Sequence, residues 1–136
     1  MLMLKLHDLK VGDLVYAEYD GQLKEGEITD VDRLDEKVCI MTNEEQEFWY
    51  EVNHIKPIVL DESQLFKLGF QKQDNSDGSI KYLKGAFRVL LHHPGDFSNI
   101  EMWYREDQRH FSGPIYLHDF QNRYHEMTKV VLSKGE

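Results

Sequence analysis

The sequence predicts a mostly β, α+β protein: a small N-terminal barrel of short strands, then an antiparallel meander carrying two helices. Three observations predict it. Short apolar runs alternate with polar residues at a period of two along most of the chain. Turn dipeptides and glycines punctuate them. Near the end, apolar residues recur every three to four positions instead.

In the first part, Val15, Ala17 and Tyr19 alternate with Tyr16 and Glu18, and Asp20-Gly21 is a hairpin-turn pair. A second strand runs through Glu27 to Val31, with Gly26 placed for a sharp bend or bulge. Leu34 to Lys37 forms a turn, and Val38 to Met41 a short apolar strand. Thr42 to Glu45 turns again before the aromatic strand Glu47 to Val52. Asn53 to Pro57 reads as a one-turn connector, with a fifth strand at Ile58 to Leu60. Five short strands in this space predict a closed barrel, because closure removes exposed edges.

The second part opens with Asp61 as a helix N-cap and Gln64 three residues on, as in a capping box. Leu65 and Leu68 form the inner face, Gly69 suits the left-handed cap position, and Phe70 folds back on Leu65. Strands follow at Gln71 to Asp74 and Ile80 to Tyr82, around the turn Asn75 to Gly78. Further strands carry Phe87, Val89 and Leu91, then Ile100, Met102 and Tyr104, around a turn at His92 to Asp96. The chain closes with a helix whose apolar stripe is Leu117, Phe120, Tyr124, Met127 and Val131. Asp119, Asn122, Arg123 and Glu126 take its other side.

Charge divides the chain as the elements do. The 136 residues carry a net charge of -9. Residues 1–60 hold 6 basic and 14 acidic side chains, a net of -8; residues 61–136 hold 10 and 11, a net of -1. The expected organisation is therefore a barrel over 1–60 and an α+β subdomain over 61–136. With 40% apolar and 30% charged residues the chain is globular rather than disordered. No apolar run approaches the roughly 18 residues of a membrane span, so no membrane association is expected. The N-terminus lacks the pattern of a signal peptide. A single cysteine, Cys39, excludes an intrachain disulfide framework and predicts a cytoplasmic setting.

The run Leu9-Lys10-Val11-Gly12-Asp13-Leu14-Val15 resembles the opening of SH3-like small barrels, and Gly26-Glu27-Ile28-Thr29-Asp30-Val31 resembles their KOW variety. That resemblance implies RNA or ribosome-associated binding. A broader one joins Ile55 to Glu62, Leu65 to Phe70 and Tyr116 to Tyr124. Together these segments resemble a family of uncharacterised small proteins frequent in gut Bacteroidetes and their phage-like elements. It implies one continuous architecture and carries over no catalytic residues, because none are established for that family.

Phosphate binding needs Lys and Arg facing the backbone. A barrel of net charge -8 opposes it, so nucleic acid is an unfavoured partner. The aromatic residues Phe48, Trp49 and Tyr50, with Tyr16 and Tyr19, are the candidate binding surface. On an acidic barrel they would favour a cationic group or basic peptide. Alternation puts Trp49 on one face and Phe48 with Tyr50 on the other, so one set lies outside the core; the plainer expectation is that it packs on the second subdomain. Arg88, Arg105 and Arg109, with His92, His93 and His110, form the cation-rich group. Pairing of their strands would bring Arg88 toward Arg105, to hold an anion or an acidic partner; salt bridges to Glu101, Glu106 and Asp107 are the simpler expectation.

His118 and His125 share a helix side about 10 Å apart, too far for one zinc ion, so no metal or other cofactor is expected. His92 and His93 are expected to be solvated. Cys39 reads as a small buried hydrophobe. No nucleophile elbow, phosphate loop or dinucleotide fingerprint occurs, and no catalytic residue is assigned. The favoured reading is a non-enzymatic protein-binding or adaptor module. The alternatives are a nucleic-acid-associated KOW-like protein and an enzyme with a site between the subdomains.

Overall fold

A computed structural model of the chain describes residues 4–42 and 46–134. It is mostly β, with two five-stranded antiparallel sheets and two α-helices. The chain divides into two compact units, Met1–Ile58 and Val59–Glu136. Among the described residues no helix is long and apolar enough to cross a membrane.

The N-terminal unit contains β1 (Leu14–Tyr19), β2 (Gln22–Asp32), β3 (Lys37–Thr42), β4 (Glu47–Glu51) and β5 (Ile55–Lys56), in the sheet order β4-β3-β2-β1-β5. Gly12, at φ 97, lets the chain turn into β1, and buried Asp13 accepts the Lys10 amide at 2.9 Å. Asp20 and Gly21 both have positive φ, the backbone of the tight hairpin turn that joins strands with right-handed twist. Asp32 Oδ1 accepts the amides of Leu34 and Asp35, which fixes the next turn. The turn expected at Thr42 to Glu45 lies largely outside the described residues. Leu9, Val15, Ala17, Ile28, Val38, Ile40 and Ile55 form the core, with Tyr50 and Val52 packed against it. Arg33 donates to the carbonyls of Leu6 and Leu9, tying the N-terminal segment to this unit.

Two sequence expectations are corrected here. The fifth strand is Ile55–Lys56, paired with β1 as Ala17↔Ile55 and Tyr16↔Lys56. Pro57, with no N–H, follows it immediately. Ile58 to Leu60 forms no strand; Val59 makes one isolated bridge to Tyr116, and the Leu60 amide donates to Ile115 O at 3.0 Å. The irregularity in β2 lies between Ile28 and Asp30, not at Gly26. Gly26 is required for space: a Cβ there would press on Ile40 Cγ2 and stand 2.8 Å from the Met41 carbonyl.

The C-terminal unit contains α1 (Glu62–Lys67), β6 (Gln71–Asp74), β7 (Ile80–Lys84), β8 (Phe87–Leu91), β9 (Asn99–Tyr104), β10 (Asp107–Ser112) and α2 (Leu117–Thr128). Its sheet runs β10-β9-β8-β7-β6. Asp61 Oδ1 accepts the Gln64 amide at 2.9 Å, capping α1. At the other end Phe70 N–H donates to Leu65 O and Gly69 N–H to Phe66 O, the paired bonds of a Schellman cap, with Gly69 at φ 92. Lys84 Nζ donates to Leu68 O at 2.8 Å, a cation at the negative end of the helix.

The buried sheet residues Ile80, Tyr82, Phe87, Val89, Leu91, Ile100 and Met102 alternate along β7, β8 and β9. Phe87 is the meeting point with α2: its ring lies 4.6 Å from Tyr124 and 6.2 Å from Phe120, and Phe70 packs on all three rings. β10 was not expected from sequence; it extends the meander at the sheet edge. The last helix also ends earlier than its apolar pattern suggests. Lys129 turns left-handed after Thr128, Val131 is exposed, and Leu132 is buried instead, its carbonyl accepting from Gln121 Nε2 at 2.9 Å. Within α2 His118 is buried and His125, two turns further along the same helix, is exposed.

Candidate functional site

The hairpin β1–β2 and the strand β4 frame an open groove of about 1280 Å³ in the N-terminal unit. Tyr19, Phe48, Trp49 and Tyr50 line it, together with Glu18, Asp20 and Glu51 and the cations Lys24 and Lys37. Each aromatic side chain is placed by its strand. Tyr19 ends β1 beside the tight turn, past the last core position, and is 77% exposed. Phe48, Trp49 and Tyr50 stand opposite Ile40, Cys39 and Val38 of β3. Tyr50 packs on the core, whereas Phe48 is 53% and Trp49 50% exposed. Alternation therefore holds, with Trp49 outside the core, but Phe48 is exposed along with it. β4 ends the sheet, so Phe48 on the core-facing side has no neighbouring strand to cover it, and Trp49 on the other side is open as well. Cys39 is buried beneath this pairing.

The groove is less acidic than the unit that holds it. Its three carboxylates face two lysines and His54, whose ring lies 3.9 Å from Glu18. Lys24, Lys37, Glu51 and His54 were not singled out from sequence, because they sit on separate elements that only the sheet pairing brings together. Tyr16 belongs elsewhere: it is partly buried, between Glu25 on β2 and Lys56 on β5, and does not line the groove.

The three candidate arginines lie in the C-terminal unit. Arg88 stands opposite Trp103 across β8–β9, its guanidinium 5.3 Å from the indole centroid. Arg105 sits in the two-residue turn between β9 and β10 at φ 57, 5.1 Å from the Tyr104 ring centroid. β8 and β9 pair as expected, and each of the two guanidinium groups lies over an aromatic ring, Arg88 across the strands and Arg105 on its sequence neighbour. Arg109 forks between Asp107 at 3.2 Å and Glu126 of α2 at 3.1 Å. Arg123, at 2.7 Å from Glu126, and then Arg109 hold the Glu126 carboxyl below its usual range. His92 contacts Glu101 at 2.6 Å and His110 contacts Asn99. These cations are engaged in local pairs, of the kind that contributes little to stability when exposed.

Another polar cluster joins α1 to the sheet. Glu62 accepts from the Tyr82 hydroxyl and pairs with Lys72, each at 2.8 Å. The Lys72 ammonium, and next the Tyr82 hydroxyl, lower the Glu62 carboxyl; burial, and then Glu62, raise the Tyr82 phenol. Among the described residues no group of three or more His, Cys, Asp or Glu side chains converges as a metal cage.

No family model matches the chain, and no curated protein matches it.

Proposed function

We propose that the protein is a non-enzymatic protein-binding or adaptor module whose binding surface is the groove of the N-terminal unit. The observation that carries the reading is the convergence of Tyr19, Phe48 and Trp49, all at least half exposed, on one groove. Exposed rings gathered in a concavity are costly to leave in water, and aromatic anchors dominate protein interfaces. The sheet order β4-β3-β2-β1-β5, a meander whose last strand returns to the first, supports reading this unit as an SH3-like barrel. The excess of acidic residues in it favours a basic partner.

The test is a display selection of random twelve-residue peptides against the full chain, with Trp49→Ala as the counter-target. The expected result is enriched peptides that bind the wild type at least tenfold more tightly than the variant. Failure to enrich any peptide, or enrichment indifferent to Trp49, overturns the proposal. A second reading, nucleic-acid association, draws on Lys24 and Lys37 beside the same rings. An RNA gel shift at low ionic strength that Trp49→Ala abolishes would replace the first reading with this one.

A further inference from the structure

Resting on that reading, we infer that the partner is an extended basic segment that adds to the N-terminal sheet as a sixth strand, alongside β4. β4 pairs with β3 and ends the sheet, leaving its other side open among the described residues. The ladder's phase determines which backbone groups face that side. Thr42 N–H donates to Gln46 O across the pair, which makes Thr42 and Gln46 a hydrogen-bonded pair. Antiparallel pairs alternate, so Phe48 and Tyr50 spend their backbone groups on β3. Glu47, Trp49 and Glu51 direct theirs outward.

The other edges are blunted. β6 reads Gln-Lys-Gln-Asp, and β10 exposes Gln108, His110 and Ser112. β5 has two residues, one of them buried. Among the described residues β4 alone combines a free edge with exposed rings, the combination that natural sheets avoid unless a strand is received there.

The side chains specify what fits. Glu47, Trp49 and Glu51 are two residues apart, so they share one face, and all three are exposed. An added strand would find a carboxylate, an indole and a carboxylate in a row. Cations at alternate positions satisfy all three, by two ion pairs and one cation–π contact. On the opposite face Phe48 is half exposed and calls for an apolar residue. The complement is an extended segment alternating basic and apolar residues.

The probe is a fluorescein-labelled eight-residue peptide of alternating lysine and valine, with a block isomer of four lysines then four valines as the control. Against the full chain the alternating peptide is expected to bind at least tenfold more tightly than its isomer. The preference should shrink at least fivefold in Glu47→Gln/Glu51→Gln, whose side chains keep their size. Binding should also slow amide exchange at Glu47, Trp49 and Glu51. No binding, equal binding of the isomers, or unchanged exchange at these amides overturns strand addition. So does a concentration-dependent dimer that protects the same amides without peptide, since the edge would then belong to a second copy. The broader reading fails separately: display-selected peptides that need Trp49 but lack the alternation sink only the added strand.

Discussion

Substituting Gly26 by alanine separates two roles that a glycine in a strand can play. Gly26 lies outside the positive-φ region, so alanine meets no backbone strain there. Its new methyl meets fixed neighbours: Ile40 Cγ2, on a fully buried side chain, and the Met41 carbonyl oxygen 2.8 Å away. Neither is the loose end of a long side chain, so the strain belongs at the upper end of about 1–3 kcal/mol for overpacking. Loss of unfolded-state freedom offsets about 0.4–1 kcal/mol. The net expectation is about 2 kcal/mol of destabilisation. With a slope of about 1 kcal/mol per molar, that lowers the urea midpoint of this unit by about 2 M. Trp49 fluorescence in a Trp103→Phe background reads the N-terminal unit specifically. Gly21→Ala is the contrast: φ is 75 and nothing lies within 4 Å, so its cost is conformational, about 1–2 kcal/mol. A Gly26→Ala midpoint matching wild type would refute the close approach of β2 and β3 as the reason for this glycine.

Other outcomes follow from the C-terminal unit. Phe87→Ala removes the ring shared by Phe70, Phe120 and Tyr124 and is expected to cost about 3–5 kcal/mol, measured by chemical denaturation. Asp61→Ala should cost about 1 kcal/mol through the lost α1 cap, with Asp61→Asn near wild type. The Tyr82 and Tyr124 phenols are both raised, chiefly by burial, so two of the seven tyrosines should ionise late in an ultraviolet titration. The unfolded chain releases these protons near its ordinary value of about 10 while the fold retains them. Stability is therefore intact below that pH and falls as pH rises through it. Simultaneous ionisation of all seven would contradict the burial.

Much of the architecture is legible because local chemistry and tertiary packing agree. Asp20-Gly21 specifies its hairpin, Asp61 and Gly69 bracket α1, and the alternation through Phe87, Val89 and Leu91 gives a buried sheet face. The failures fall where partners rather than periodicity decide. β10, Asp-Gln-Arg-His-Phe-Ser, has almost no apolar alternation, because an edge strand need not feed the core. β5 is two residues long and exists through its pairing with β1. Val130 and Val131 prolong the helical pattern, but the chain has already turned at Lys129. The aromatic run at Phe48 to Tyr50 is plain in the sequence, and its exposure is not: that depends on β4 being last in its sheet.

Both sheets are meanders, and this bears on how fast each unit assembles. β1 through β4 pair with their sequence neighbours, as do β6 through β10, so most of the ladder closes short loops. The exception is Ala17 with Ile55, which closes a loop on the order of 40 residues. Relative to a four-residue hairpin, that adds about 2 kcal/mol of chain entropy. The two-residue strand β5 recovers this only after the meander has formed. Docking of β5 is accordingly a late event, and weakening it through Ile55→Val should accelerate unfolding while leaving the refolding rate nearly unchanged.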